Sequence, residues 1–338
     1  MRKRKLGRTG YMVAELGMGT AGFDGDGWRA VDPGDAQRTL YAAIEAGVTF
    51  VDTSPSHGDR IAEKLVGEVI RDLRARDRVV VASKVPPMDG TWPGSGDTAI
   101  ERVFHPSHVQ ASVEQSLRDL CAEAIPLAQL DGWHDGWLST RAWADVRGRM
   151  QLMIKQGKVL HWGVCASPDD PDAALDVLGE PIIETAQVCY NVFERRCEAN
   201  FLARADRQEV AVIARAPLDR GALSGYLSRE HRFLANDPYG QYFADSGLAE
   251  TVTRVEALAG LCGDEATSVP ELALRFALSR PEVAAVLTGM RRPAHVHANI
   301  AAIARGPLSA SMLARLADHA WTRNLDPRKG SSQGESPR

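Results

Sequence analysis

The chain of 338 residues is 44% hydrophobic, which is enough to bury the core of one large domain or two smaller ones. Its net charge is only −4 and its basic residues are scattered along the sequence, which argues against a nucleic-acid partner and against an anionic membrane surface. No window contains the roughly 18 apolar residues that a membrane-spanning helix needs, so we expect a soluble globular protein.

The two ends of the chain and its cysteines indicate the compartment. The N-terminus, MRKRKLGRTG, lacks the apolar segment of a signal peptide, and the five cysteines are odd in number and widely spaced. We therefore expect a cytoplasmic protein whose thiols are reduced and pack in the core. Residues 326–338 have almost nothing to bury and are expected to form a disordered tail, which leaves 1–325 for a single domain.

In chain order, the sequence begins with KLGRTGYMVA, whose Thr9-Gly10 turn predicts a β-hairpin. A short apolar strand, VAELGMGT, follows. Asp32-Pro33 then predicts the cap and first turn of a helix that continues through DAQRTLYAAIEA, and the strand VTFVD comes next. The same alternation of helix and strand supplies six further apolar strands: RVVVASKV, LAQLD, VLHWGVC, ETAQVCYN, VAVIARAPL and VAAVLTGM.

Apolar strands separated by helices are typical of a parallel sheet that is covered on its outside. Eight such units without a linker predict an α/β fold, a closed (β/α)8 TIM barrel, with the hairpin outside it and long loops at the C-terminal face. In such a barrel the chemistry takes place at the C-terminal ends of the strands and on the loops that follow them. The residues at predicted strand ends are Thr20, Asp52, Lys84, Asp131, Cys165, the stretch 187–191, Arg215 and Gly289.

Lys84 closes the apolar strand VVVASK, where a buried ammonium group needs an acidic partner. Asp52, at the end of the preceding strand, is the natural partner, either in a purely structural ion pair or in one that tunes the pKa of a proton donor. His57 follows on a turn, as a surface histidine or as part of this site. Asp52, His57, Asp131 and His134 would be the ligands of a metal, but no strand-end His-x-His motif supports a metal site, and none is predicted.

Two segments have features of phosphate sites. Residues 17–22 match the pattern G-x-G-x-x-G, but FDGDGW follows instead of a helix, so we do not interpret the segment as a dinucleotide fingerprint. Residues 288–293, TGMRRP, lead from a strand into the helix AHVHANIAAI. Their glycine turn, helix N-terminus and two arginines favour a bound phosphate over charges that are merely solvated.

Taken together, these segments resemble the aldo-keto reductase superfamily of NADP(H)-dependent (β/α)8 oxidoreductases. The resemblance covers nearly the whole chain and is carried by LGRTGYMVAELGMGTAGF, VDTSPSHG, GKVLHWGV, AQVCYN, VIARAPLDRGALSG and VLTGMRRPAHVHANIAA. It implies that the last segment grips the 2′-phosphate of NADP(H), that Gln187 contacts the nicotinamide carboxamide and that Arg215 stacks on the nicotinamide. The full set of implied cofactor-binding residues is Thr20, Asp52, Cys165, Gln187, Arg215, Ala216, Leu218, Arg220, Gly289, Met290, Arg291, His295 and Asn299.

The catalytic residues depart from the family pattern. The family tetrad is Asp, Tyr, Lys and His, and the resemblance assigns Asp52 and Lys84 to two of these roles. His57 stands where the tyrosine is expected, Asp131 where the histidine is expected, and Cys165-Ala166 replaces a Ser-Asn pair. We therefore expect an atypical tetrad in which His57, held by Asp131, donates or accepts the proton.

The sequence thus predicts an NADP(H)-dependent oxidoreductase that acts on a carbonyl or hydroxyl group of a small molecule, a sugar-like or specialised metabolite. Trp28, Trp92 and Trp133, on predicted rim loops, are candidate substrate-binding residues, unless they only pack the loops. Two alternatives stay open. One is a lyase, dehydratase or epimerase on the same barrel, and the other is a non-catalytic NADP-binding protein.

Overall fold

The computed structural model describes residues 1–23, 31–233, 240, 242–243 and 247–323. The expected tail, 326–338, and Trp28 lie outside these residues. None of the helices in the described ranges combines the length and apolar character that crossing a membrane requires.

Eight parallel strands form the predicted closed barrel, in which each strand pairs with the next and the last pairs with the first. This confirms the (β/α)8 architecture. The strands are β3 (Leu16–Gly19), β4 (Phe50–Asp52), β5 (Val80–Val85), β6 (Ile125–Trp133), β7 (Val159–Ala166), β8 (Ile183–Cys189), β9 (Ala211–Arg215) and β10 (Val283–Gly289).

The predicted hairpin is present and lies at the end of the barrel where the strands begin. Its strands, β1 (Lys3–Lys5) and β2 (Met12–Ala14), pair antiparallel. Arg4 donates a hydrogen bond of 2.7 Å to the carbonyl of Val283, and Arg8 donates one of 2.6 Å to the carbonyl of Ile183; these carbonyls belong to the first residues of β10 and β8. The hairpin thus covers one end and leaves the other for a functional site.

The helices surround the barrel, and the first begins with the side-chain cap that the sequence predicts. Asp32 accepts hydrogen bonds from the backbone N–H groups of Gly34 and Asp35, and Pro33 is the first helical residue. The helices are α1 (Pro33–Glu45), α2 (Ile61–Asp72), α3 (Ile100–Val103), α4 (Pro106–Asp119), α5 (Arg141–Lys155), α6 (Phe201–Arg207), α7 (Leu248–Ala259), α8 (Val269–Leu278), α9 (Pro293–Ala304) and α10 (Ala310–Ala317). The predicted alternation of helix and strand does not include α3, α7 and α10, and between β7 and β8 two short 3-10 turns stand in place of a helix.

Gly17 of the G-x-G-x-x-G segment serves close packing inside the barrel. A Cβ atom at this position would lie 2.8 Å from the side chain of Leu287 and 2.9 Å from that of Phe50. Strand β3 therefore needs a glycine here for packing, which agrees with the rejection of the dinucleotide fingerprint.

Candidate active site

A cavity of about 510 Å³ opens at the C-terminal ends of the strands, within the usual size range of ligand sites. It extends from the ends of β4 and β5 to the start of α9. Many of the predicted site residues line it: Asp52, His57, Lys84, Asp131, Gln187, Arg215, Ala216, Leu218, Arg220, Gly289, Arg291, His295 and Asn299. Residues at the predicted strand ends, which are far apart in the sequence, therefore meet at one cavity.

Asp52 and Lys84 form a buried ion pair in this cavity. The Nζ of Lys84 lies 2.5 Å from Oδ2 of Asp52, and both side chains are less than a tenth exposed. The ammonium group also donates to the carbonyl of Thr53 at 3.0 Å. From β8, the Nε2 of Gln187 donates to the other carboxylate oxygen of Asp52 at 2.9 Å. Both oxygens of Asp52 are thus engaged, and the pair is held in one geometry.

Lys84 is a permanent cation in this environment. Burial lowers its pKa, but the ion pair with Asp52, followed by the influence of Cys165 and Asp131, outweighs burial, and the net effect raises the pKa of Lys84 above its ordinary value. The cavity therefore contains a fixed positive charge at neutral pH.

His57 is bonded to Thr20 rather than to Asp131. Its Nδ1 lies 3.0 Å from Oγ1 of Thr20, which also donates to the hydroxyl of Thr53 at 3.0 Å. Burial, followed by the nearby charge of Lys84, moves the pKa of His57 well below its ordinary value of 6.5. The imidazole is therefore neutral at pH 7, and its hydrogen-bond partner is Thr20 where the sequence predicts Asp131.

Asp131 instead holds Trp92. The indole Nε1 of Trp92 donates to Oδ1 of Asp131 at 3.0 Å, and within the described ranges no hydrogen bond joins Asp131 to His57. The guanidinium of Arg215 lies 5.0 Å from the centre of the Trp92 ring. Gly132, with φ of +85°, allows this contact, since a Cβ atom there would lie 2.8 Å from Trp92. Trp92 thus packs behind two residues of the cavity wall, Asp131 and Arg215.

The opposite end of the cavity is basic. α9 starts directly after Arg291 and Arg292, and the backbone N–H of Arg291 donates to Nδ1 of His295 at 3.3 Å. Burial, followed by the two guanidinium charges, lowers the pKa of His295. Arginine side chains at a helix N-terminus suit a bound phosphate.

Two residues that line the cavity each carry a buried polar atom without a hydrogen-bond partner in the part of the chain that the structure describes. These atoms are Nε of Arg215 and Oγ1 of Thr288. Such buried donors are usually satisfied by a protein group, water or a ligand. Together with the basic end, they fit a phosphate-bearing cofactor in this cavity.

Several predicted residues lie behind the cavity wall rather than on it. Thr20 and Cys165 are fully buried, and Met290 packs in the main hydrophobic core. Burial, followed by the charge of Asp131, raises the pKa of the Cys165 thiol well above its ordinary value, so it stays protonated. The expectation that the cysteines pack in the core is wrong for Cys121, which is exposed.

Trp133 is not a rim residue, contrary to prediction. β6 continues two residues beyond Asp131, and this extension buries the ring of Trp133 against Trp137 and Trp143, with ring centres 5.4 Å and 4.8 Å away. His134 lies just beyond, where its Nδ1 accepts from the backbone N–H of Gly136. Trp92 does not line the cavity either, but it contacts two residues that do, Asp131 and Arg215.

Sequence reasoning missed some lining residues. Ser54, Ser56 and Ser224 contribute to the cavity, and so do Gly19 and Gly22 of the rejected G-x-G-x-x-G segment. The signal was a position at or just after a strand end for all of these except Ser224, which lies well beyond the end of β9. Gln129 is fully buried beside Gln187, and the polar side chain inside the apolar strand LAQLD was its signal.

Comparisons of sequence and of fold identify known proteins that are similar to this chain. The sequence model of the aldo/keto reductase family matches residues 15–320. Aldo-keto reductase YhdN of Bacillus subtilis (strain 168) is 28% identical over 302 residues, which cover 88% of this chain and 87% of that protein. The NADH-specific methylglyoxal reductase of Escherichia coli (strain K12) is 24% identical over 317 residues, covering 90% and 94%. Among solved structures, the holo form of aldo-keto reductase AKR11C1 from Bacillus halodurans superposes with a TM-score of 0.74 at 21% identity, over 96% of this chain and 98% of that one.

Proposed function

The chain belongs to the aldo/keto reductase family of oxidoreductases, and from this premise we propose that it is an NADP(H)-dependent enzyme that interconverts a carbonyl and a hydroxyl group of a sugar-like or specialised metabolite. The observation that carries the proposal is the cavity that joins the Asp52–Lys84 pair to the basic start of α9. A dinucleotide-dependent enzyme needs a phosphate-binding region and a proton-transfer region within one site, and this cavity offers residues suited to each.

The residues of the cavity support the cofactor assignment. Arg291, together with Gly289, His295 and Asn299, would hold the 2′-phosphate. Ala216, Leu218 and Arg220 would follow the pyrophosphate, and Gln187 and Arg215 would contact the nicotinamide, while Thr20, Cys165 and Met290 would support these groups from behind. Since the Escherichia coli relative is named as NADH-specific, the preference for NADP(H) depends on Arg291 of this chain and not on family membership.

The side chains define how protons would move. When bound, the reduced nicotinamide supplies a hydride to a carbonyl carbon. The ammonium charge of Lys84 favours the negative charge that develops on the substrate oxygen. The hydroxyl proton of Thr20 is donated to Thr53, so Nδ1 of the neutral His57 would donate its proton to Thr20. The other ring nitrogen, Nε2, would then accept the proton of a substrate hydroxyl. In the reducing direction, the same imidazole must first be protonated, which its lowered pKa restricts to acidic solution.

The neutral imidazole also favours a second candidate. A base beside a fixed ammonium charge is what abstraction of a proton next to a carbonyl requires, so a lyase, dehydratase or epimerase would use the same pair. In that case NADP(H) would not be consumed.

Single-turnover kinetics tests the proposal. The protein is mixed with NADPH and a panel of aldehydes, aldoses and keto sugars, or with NADP⁺ and the corresponding alcohols, and the absorbance of the reduced nicotinamide is followed. We expect turnover that falls by about 10²–10⁴-fold in His57→Gln, the usual contribution of a general acid or base. His105→Gln, which alters an exposed histidine outside the cavity, should leave it unchanged. Product without net cofactor change would favour the second candidate, and NADPH binding without any product would contradict an enzymatic role.

A further inference from the structure

The segment after α10 crosses back to the barrel and is fixed there. The backbone N–H of Trp321 donates to the carbonyl of Phe193 at 2.9 Å, and the two rings meet edge to face with their centres 5.7 Å apart. The guanidinium of Arg254 lies 4.5 Å from the centre of the Trp321 ring. This anchoring brings Arg323 to the outer side of the loop that follows β9.

Arg323 forms a buried ion pair with Asp219 of that loop. Nη2 of Arg323 bonds Oδ2 of Asp219, and the two side chains are only 4% and 2% exposed. The other carboxylate oxygen of Asp219 accepts from the hydroxyl of Tyr242 at 3.2 Å, and the guanidinium lies 5.3 Å from the centre of the Tyr242 ring. Removing one partner of such a pair leaves the other as an uncompensated buried charge.

The loop that Asp219 belongs to has an unfavourable backbone. Ala216, Asp219 and Arg220 adopt positive φ values of 52°, 47° and 52°, a conformation that non-glycine residues adopt only where the surroundings enforce it. The backbone N–H of Asp219 donates to the carbonyl of Ala216 at 2.8 Å, which ties these residues into one turn. Ala216, Leu218 and Arg220 face the cavity, whereas Asp219 is buried against Arg323.

We propose that Arg323 and Asp219 are positioning residues that hold loop 216–220 in the conformation that binds the cofactor. The proposal rests on the proposed function, because it takes these residues as part of the NADP(H) site. Neither side chain of the pair lines the cavity, so the pair acts from outside by keeping the strained turn populated. When only a fraction of the molecules has the competent loop, the apparent Kd rises in inverse proportion to that fraction.

The test compares Arg323→Gln and the isosteric Asp219→Asn with the wild type. Intrinsic fluorescence gives the Kd of NADPH, and stopped-flow displacement gives its dissociation rate. We expect an affinity about tenfold weaker and a correspondingly faster dissociation in both variants, within the usual range of coupling between two sites. Arg323→Lys, which keeps the charge, should recover part of the loss.

Arg4→Gln is the matched control, since it removes a guanidinium from the buried Glu15 at the opposite end of the barrel. It should lower the thermal midpoint without changing NADPH binding. If Arg323→Gln and Asp219→Asn lose only as much stability as Arg4→Gln and bind NADPH within twofold of the wild type, the proposal is overturned.

Hydrogen exchange without cofactor separates this proposal from the proposed function. Amides of residues 216–224 should exchange faster in Arg323→Gln than in the wild type. In Arg4→Gln, the same amides should exchange at the wild-type rate. A wild type that fails to bind NADPH would remove the proposed function, yet faster exchange here would still identify the pair as the support of the loop. Unchanged exchange together with unchanged dissociation would remove the pair from that role.

Discussion

The hydroxyl of Thr20 lies 3.0 Å from Nδ1 of His57, and this contact joins the ends of β3 and β4 at the cavity. Thr20 carries no charge, so it does not offset the burial of the imidazole or the positive charge of Lys84, which together lower the pKa of His57. A carboxylate partner would favour the charged imidazole, whereas Thr20 leaves burial and Lys84 unopposed. The lowered pKa makes His57 a base at neutral pH.

The pH dependence of turnover should reveal that His57 acts as the base. Oxidation of a substrate hydroxyl should be fast at neutral pH and slow down as the pH falls below 6.5 through the lowered pKa of His57, because the base must be unprotonated. Reduction should show the opposite trend and speed up in acid. The measurement is kcat/KM against pH in both directions. His57→Gln should lack the acidic inflection, and an inflection that survives this change would belong to another group.

The Asp52–Lys84 pair should contribute to both stability and activity, and the two contributions should be separable. Lys84→Met leaves Asp52 as a buried uncompensated charge and should lower the free energy of unfolding by about 3–5 kcal/mol. Adding Asp52→Asn removes that charge and should restore much of the stability, while turnover stays lost because no ammonium group faces the substrate. Urea unfolding and single-turnover rates measure the two effects. A double variant no more stable than Lys84→Met would show that the charge pair is not the source of the loss.

Asp131 should act through Trp92 and not as a proton carrier. Asp131→Asn keeps an oxygen that accepts from the indole N–H, so KM and kcat should change by only about threefold. Asp131→Leu removes the acceptor and should raise KM by about two- to tenfold, since one hydrogen bond contributes about 0.5–1.5 kcal/mol. Steady-state kinetics measures KM and kcat of both variants and of Trp92→Phe, which removes the donor of the same hydrogen bond. A large fall of kcat in Asp131→Asn would return Asp131 to proton transfer.

The barrel and the location of the site could be predicted because they depend on local pattern. Asp52 and Lys84 end apolar strands, and parallel strand ends meet at one face of a barrel, so their proximity follows from the sequence alone. Helices α3, α7 and α10 are not predicted; α3 and α7 lie within or after long loops rich in glycine, proline and aromatic residues, whose composition hides a helical pattern.

The partners of His57 and Asp131 depend on loop geometry that sequence pattern does not specify. The turn that carries His57 contains positive φ values at Gly58, Asp59 and Arg60, and two of these are not glycines. Likewise, β6 runs two residues past Asp131, with Gly132 at positive φ, and this extension buries Trp133. The imidazole of His57 and the carboxylate of Asp131 therefore line the same cavity, yet each bonds another residue, Thr20 and Trp92 respectively.

The central claim, that the cavity binds NADP(H) with its 2′-phosphate at Arg291, is tested most directly by titrating NADPH and NADH into the wild type and Arg291→Gln. A hydrogen bond to a charged group contributes about 1.5–3 kcal/mol, so the variant should bind NADPH roughly tenfold to a hundredfold more weakly, with little change for NADH. Equal affinity of the wild type for the two cofactors, or an equal loss of both in the variant, would contradict the claim.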